Sequence, residues 1–580
     1  MSQVLTGGAV VSRALSRYGI RTVFAVAGAS HTYLLDALDR DGFRVISNRH
    51  ESGCVGAADG YARITGKLGV ALIIADQGTP NAINGIATAF HACSPVLVLI
   101  ARLPNSWTEA ESEYDNIKQP LVGTISKWSR TVPAAERLAE YVDVAAKRAL
   151  AGRRGPVVLQ IPQEYLSATL SDYGAAAQPV ASLSRSAADP AAIGAAAKLL
   201  GEARRPLLIA GAGAAYGDAG ASLRAIVEHC DLPIAGNGLG RGVVAEDWER
   251  SFNWPLMQLV AREADVVCVV GARLKQRLGY GLPPRFAKDA KFIQIDVEAE
   301  ELSRNRRIDV PIAADAGLAA AQLLEAMTAR SAERALWVRE ALQSRFKFLD
   351  SVIDTANKSD ASARASLHPL VLGRTLAARL PQNAIIVGDG ADVQNWMYGG
   401  LKVRQAPGFL DHYPLGAMGV GTALAVGAAA AAREMSETSG TPLRPVLLTT
   451  GDGSFGFYPA ELHAAAMAGL KLICVIGNDG AWGTELHGQM TAIKRAINTE
   501  LGYLRYDQVG QGFGCHGELV ETPAQLPAAL DRAFAMHTPS VLNVLIGREA
   551  GRQIKNNPLA QMIMFDDLAS NLQAQHLFSG

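Results

Sequence analysis

The sequence predicts an α/β protein of three doubly wound, parallel-sheet domains followed by a short tail. Three observations predict it. The chain has 580 residues, too many for one hydrophobic core and about right for three or four domains. Short β-branched runs that end in Gly or Asp alternate with Ala-rich segments of helical period, the pattern of parallel strands covered by helices on both faces. Two small, polar stretches interrupt the alternation, AAAQPVASLSRSAADP near 175–190 and TANKSDASARASLHP near 355–369. Such composition suits exposed connections. They set domains at residues 1–175, 190–355 and 368–550, with a tail over 551–580.

In chain order the predicted strands are Val70–Ile74, Pro95–Ile100, Val157–Ile161, Pro206–Ala210, Val266–Val270, Phe292–Ile295, Ala384–Val387, Val446–Leu448 and Leu472–Ile476. Helical period is clear over Ala135–Ala151 and Pro190–Leu200. The first and third blocks share a pattern: strand, Gly-rich loop, Ala-rich helix, strand. One runs VALII, ADQGTPN, VLVLIA; the other PVLLTT, GDGSFG, PAELHAAAMAG, KLICVIG. One supersecondary unit is used twice, at an identity too low to prove duplication.

Composition narrows the function. Lys+Arg and Asp+Glu are equal at 55 each, which gives no reason to expect nucleic acid or an anionic membrane as partner. Six scattered cysteines have neither zinc-ligand spacing nor a CxxC pair and read as free thiols of a reducing compartment. No basic segment with an apolar core marks a signal peptide, so the expected location is the cytoplasm. The uncharged, Ala- and Gly-rich stretch Met418–Ala432 is too short to span a bilayer comfortably and reads as a buried helix.

The strongest chemical signal is Gly451-Asp452-Gly453-Ser454 followed by Asn478-Asp479-Gly480. A strand ends at Thr450, and a glycine turn then exposes backbone N–H groups where a helix starts, a geometry that binds phosphate. The chain between Gly453 and Asn478 is long enough for one helix and one return strand. Asp452 and Asn478 then offer oxygens to one hard cation, with a backbone carbonyl as the third, the set Mg2+ prefers when phosphate and water complete it. A GDG turn alone is an ordinary strand-to-helix turn; the second motif at this distance sets it apart. Gly388-Asp389-Gly390 also follows a strand, but no Asn stands at the matching distance. Asp389–Gln394, with Asp392 and Gln394 as its ligand-facing residues, therefore reads as a second cofactor loop without metal. The other signal is Arg49-His50-Glu51, which follows a short strand and opens the small-residue helix GAADGYAR. A carboxylate there is usually a cap; Glu51 gains interest from the metal motif elsewhere in the chain.

Together, GDGS…ND, RHE…AADGYAR and YPLGAMGVG resemble the thiamine-diphosphate (ThDP) decarboxylase, acetolactate synthase and lyase family over nearly the whole chain. The resemblance implies a pyrimidine-binding first domain, a central domain and a diphosphate-binding third domain. It implies that Asp452, Asn478 and the Gly480 carbonyl hold Mg2+, and that Glu51 exchanges a proton with pyrimidine nitrogen N1′. It implies that Met418, in the loop from Gly416, props the cofactor into a bent shape, and that Gly451, Gly453, Ser454 and Trp482 line the cofactor. Within the family, GARL, GLPPRF and KFIQID look most like 2-hydroxyacyl-CoA lyases and oxalyl-CoA decarboxylases, and PGFL, WG and LH like benzaldehyde lyase. The reaction implied is cleavage or ligation of a carbon–carbon bond beside a carbonyl, with an acyl-CoA among the small-molecule substrates. Condensation or decarboxylation of 2-keto acids is the alternative, and a silent ThDP-binding paralogue the reading of another class, which retention of Glu51 disfavours. Arg273, Arg285, Lys402 and Arg404, or Arg548, Arg552 and Lys555, are the candidate cations for a CoA nucleotide. Two segments depart from the family pattern, Asp76-Gln77-Gly78 and Ala27-Gly28-Ala29-Ser30-His31. They line the substrate side in relatives, which makes Ser30, His31 and Gln77 candidate substrate residues; Tyr114 and Gln119, further along the first domain, are the other two candidates. The resemblance also implies a homodimer or homotetramer whose active sites are shared between subunits.

Overall fold

A computed structural model describes residues 4–74, 77–110, 119–171, 184–258, 260–328 and 334–550. Three six-stranded parallel sheets carry the fold. The first lies in the spatial order Arg44–Ser47, Thr22–Ala25, Gly69–Ile74, Val96–Arg102, Val157–Pro162, Trp128–Thr131. The third runs Phe409–Asp411, Ile385–Gly388, Val446–Gly451, Ile473–Asn478, Ser540–Leu545, His516–Val520. Numbered within each domain, both read 2-1-3-4-6-5. The repeated unit seen in the sequence is thus a repeated topology. The central sheet reads 3-2-1-4-5-6, the dinucleotide-fold order.

The strands that pair on both sides are buried along nearly their whole length, as in Val266–Val270 and Ser540–Leu545. That is why they appear as continuous apolar runs rather than alternating ones. Edge strands differ: Trp128–Thr131 and His516–Val520 are only partly covered.

The first and third domains share one core. The Glu51–Thr65 helix of the first packs on the Val420–Ser439 helix of the third, with Cys54, Ala57, Tyr61, Leu424, Ala428 and Ala431 in a common cluster. Small residues set the distance. A methyl group built on Gly427 would lie 1.8 Å from the Ala57 carbonyl oxygen, and one on Gly60 would lie 2.2 Å from that of Leu424. Charges lock the seam: Arg63 pairs with Asp59 inside its own helix and donates to the Asp411 carbonyl at 2.9 Å across the interface. Among the described residues no helix is long and apolar enough to cross a membrane.

Candidate active site

In the third sheet Val446–Gly451 and Ile473–Asn478 are neighbours, with Gly451 opposite Gly477. Their C-terminal ends therefore bring Asp452 and the Asn478–Asp479 pair to one edge, where open α/β sheets bind ligands. Asp452 opens the short helix Asp452–Phe455; it is buried, and its Oδ2 has no hydrogen-bond partner. Its carboxylate meets that of Asp479, which is also buried. Burial first, and the neighbouring Asp479 charge next, push the Asp452 carboxyl well above its ordinary range; burial also raises Asp479. Two touching, buried carboxylates need a proton or a cation between them. The donor set thus fits a hard divalent ion, although no three acidic, His or Cys side chains among the described residues form a metal cluster.

The expected ligands are themselves hydrogen-bonded. Asn478 is still within its strand, and its amide is turned sideways: Nδ2 donates to Asn543 Oδ1 at 2.9 Å and to the Leu504 carbonyl at 3.2 Å, while Oδ1 accepts from the Gly480 N–H at 3.1 Å. The Gly480 carbonyl accepts from Leu501 N at 2.8 Å, Gly502 N at 2.9 Å and Arg548 Nη2 at 3.1 Å. Those three donors fix the Gly480 carbonyl at the end of the strand edge. Asp479, one residue on, occupies the position beside Asp452.

Around this edge the cofactor-loop residues assemble. Trp482 lies over Gly453, where a methyl group would come within 2.5 Å of the indole, and Phe457 stands edge-on to Trp482 with centroids 6.2 Å apart. Phe457 also packs on Gly419, whose φ of 91° only glycine adopts readily. Met418 is half-buried between Gly416 and Gly419. Ser454 is buried, with its Oγ 3.1 Å from the position of a methyl group on Gly390. Asp392 and Asp479 approach one another across Gly483. Gln394 is folded back against Gly388 rather than held outward.

Glu51 opens its helix as expected and is 7% exposed. Asn81 Nδ2 donates to its Oε2 at 3.1 Å, and Gly78 lies against its Oε1. The turn before it is held by a residue the sequence did not single out. Glu461, buried in the third domain, accepts from Asn48 Nδ2 at 2.7 Å and from the backbone N–H groups of Arg49 at 3.1 Å and His50 at 3.0 Å. Its only signal was a carboxylate opening a helix shortly after GDGS.

Of the candidate substrate residues, His31 is fully buried; its Nε2 accepts from the Gly28 N–H at 2.9 Å, and burial lowers its pKa to about 4, so the ring is neutral. Ser30 has a buried Oγ without a partner. Gln77 is exposed at the start of the Gly78–Ala92 helix. Gln119 opens the Gln119–Gly123 helix, and Tyr114 lies outside the described residues.

A cavity of about 1250 Å³ lies over the switch point of the central sheet. Its floor is Gly211, Gly271 and Asp296, at the ends of three adjacent strands. Arg153, Arg273 and Lys275 line it, and Asn395 and Thr484 carry it to the third domain. Gln258 also lines it, 4% exposed, with an Oε1 that has no partner. Burial, with Arg273 and Arg153 nearby, lowers Lys275 to about 8. Among the described basic candidates Arg273 alone lines this cavity. Arg285 is buried against Gly279, Arg404 pairs with Asp247, and Arg548 braces Asp479 and Gly480. Arg552 and Lys555 lie outside the described residues.

Fold and site define a cofactor-dependent α/β enzyme. The chain belongs to the thiamine pyrophosphate enzyme family: residues 5–120 match its N-terminal TPP binding domain, 193–323 its central domain and 386–544 its C-terminal TPP binding domain. It is 32% identical to the acetolactate synthase large subunit IlvG of Mycobacterium tuberculosis over 94% of this chain and 96% of that protein. It is 29% identical to mouse 2-hydroxyacyl-CoA lyase 1 over 95% and 96%. A thiamine diphosphate-dependent 4-hydroxybenzoylformate decarboxylase of Rhodococcus jostii shares its fold, with a TM-score of 0.80 at 20% identity, covering 94% of this chain and 99% of that one.

Proposed function

We propose that this ThDP enzyme is Mg2+-dependent and cleaves or forms the carbon–carbon bond of a 2-hydroxyacyl-CoA, yielding an aldehyde or ketone and formyl-CoA. When bound, ThDP supplies a nucleophilic thiazolium carbon and an electron sink for the bond that breaks. Asp452, Asn478 and the Gly480 carbonyl hold the cation, with the Asp479 carboxylate beside Asp452, and the Gly451–Ser454 turn holds the diphosphate. Glu51 carries the proton exchanged with N1′, fixed by Asn81 and by the Glu461-braced turn. Met418 props the cofactor, and Trp482 and Phe457 wall it from water.

The observation that carries the CoA assignment is the cation-lined cavity. It begins at a dinucleotide-type switch point, where nucleotides bind, and extends to Thr484, beside Gly483 of the metal edge. A nucleotide at one end leaves its acyl chain pointing to the other. The relationship to 2-hydroxyacyl-CoA lyase agrees with this. We infer a homodimer or homotetramer with shared sites. Glu51 and Asp452 stand at the strand-to-helix edges of two different domains, and a two-fold pairing of chains would set such edges face to face across a cofactor. The six free cysteines suit a reducing cytoplasm.

A panel of 2-hydroxyacyl-CoA and 2-keto acid substrates, with ThDP and Mg2+, tests the reading. Aldehyde and formyl-CoA release is expected. Turnover of 2-keto acids alone would favour the second reading, an acetolactate synthase-like condensation, which the mycobacterial relative supports.

A further inference from the structure

We propose that Asp389 is a positioning residue that clamps the backbone beyond Met418 and so fixes the cofactor prop. The inference rests on the ThDP reading above. Asp389 follows the Ile385–Gly388 strand and is 1% exposed. Its Oδ1 accepts from the N–H groups of Gly390 at 2.7 Å and Gly419 at 3.1 Å, and its Oδ2 accepts from Gly421 N–H at 2.8 Å. His412 Nδ1 lies 3.4 Å from the same Oδ1. Burial lowers the His412 pKa to about 3, so this neighbour is neutral. The carboxylate is thus committed to backbone and does not face outward as a ligand.

What it holds is a loop that would otherwise be slack. Met418 stands between Gly416, φ 85°, and Gly419, φ 91°, two residues with no side chain to pin them. Phe457 presses on Gly419 from one side, and Asp389 ties Gly419 and Gly421 from the other. A bulky prop needs a fixed backbone to hold a ligand in one shape.

The test uses full-length Asp389→Asn, Met418→Ala and the double variant, with calorimetry of ThDP and of inorganic pyrophosphate at fixed Mg2+. Gly421→Ala is a second route to the same loop, since its methyl group would lie 2.5 Å from Asp389 Cβ. Losing an acceptor for a buried N–H should weaken ThDP about tenfold. Pyrophosphate, which does not reach the prop, should stay within about threefold. The double variant should bind ThDP about as Met418→Ala does, because the two residues act as one unit. The proposal is overturned if Asp389→Asn and Gly421→Ala bind ThDP like wild type, if they lose pyrophosphate as strongly as ThDP, or if the two effects multiply. Absence of ThDP binding by the wild type would overturn the cofactor reading and this inference with it.

Discussion

The Glu461 carboxylate, in the third domain, accepts the backbone N–H of His50 in the first, 411 residues away in sequence. It also accepts from Arg49 N and Asn48 Nδ2, so one buried side chain fixes the turn that presents Glu51. Glu461→Ala leaves the buried Asn48 amide unpaired, at about 1–3 kcal/mol, and frees two part-buried backbone N–H groups. We expect a lower melting temperature and a fall in kcat, with Glu461→Gln milder on both. Unchanged kcat in Glu461→Ala would separate this contact from Glu51.

The Asp452–Asp479 pair predicts how stability varies with pH once metal is stripped. Both carboxyls are raised in the folded chain, so it holds their protons to higher pH than the unfolded chain does. Their contribution is full below the ordinary carboxylate pKa of about 4 and is lost as pH rises through the raised values. With EDTA, the melting temperature of wild type should therefore fall relative to Asp479→Asn between about pH 5 and pH 8. Saturating Mg2+ and ThDP should remove that difference. Parallel curves for the two proteins would mean the carboxylates do not interact.

Which parts of this were legible follows from where each residue finds its partners. Strands buried on both faces, such as Pro206–Ala210 and Val266–Val270, were readable to the residue because continuous apolar runs are unambiguous. The edge strands Trp128–Thr131 and His516–Val520 were not, since half-exposed positions carry mixed residues. Glu51 and Asp452 were legible because each opens a helix directly after a strand or turn. The hydrogen bonds of Asn478 were not legible: the strand runs through it, its Nδ2 turns to Asn543 on the next strand, and Asp479, the next residue, stands beside Asp452. Glu461 and Asp389 act on backbone far along the chain, and no local pattern records such contacts.

The seam between the first and third domains predicts a sharp response to size. Gly427 faces the Ala57 carbonyl with no room for a methyl group. Gly427→Val should separate the helices and cost about 1–3 kcal/mol or more, the usual range for overpacking. Chemical denaturation would report it. Loss of activity should accompany it, since the helix that Gly427 packs against begins at Glu51. A variant as stable as wild type would show that the helices slide apart freely.

The last prediction concerns how sites are shared. Glu51 lies at the strand-to-helix edge of the first domain and Asp452 at that of the third, and a cofactor must touch both. Within one chain, Glu51 hydrogen-bonds Asn81, and its preceding turn is held by Glu461. In the proposed two-fold dimer the first domain of each subunit would meet the third domain of the other, giving two equivalent sites. Glu51→Gln alone should keep the fold and lose about 10²–10⁴ in rate. Asp452→Ala alone should abolish ThDP binding at ordinary Mg2+ concentrations. Mixing the two inactive proteins creates hybrids in which one site has both wild-type residues and the other has neither. Subunit exchange should then restore activity toward half of wild type per hybrid dimer. Verified exchange without recovery would mean that Glu51 and Asp452 serve the same site from one chain.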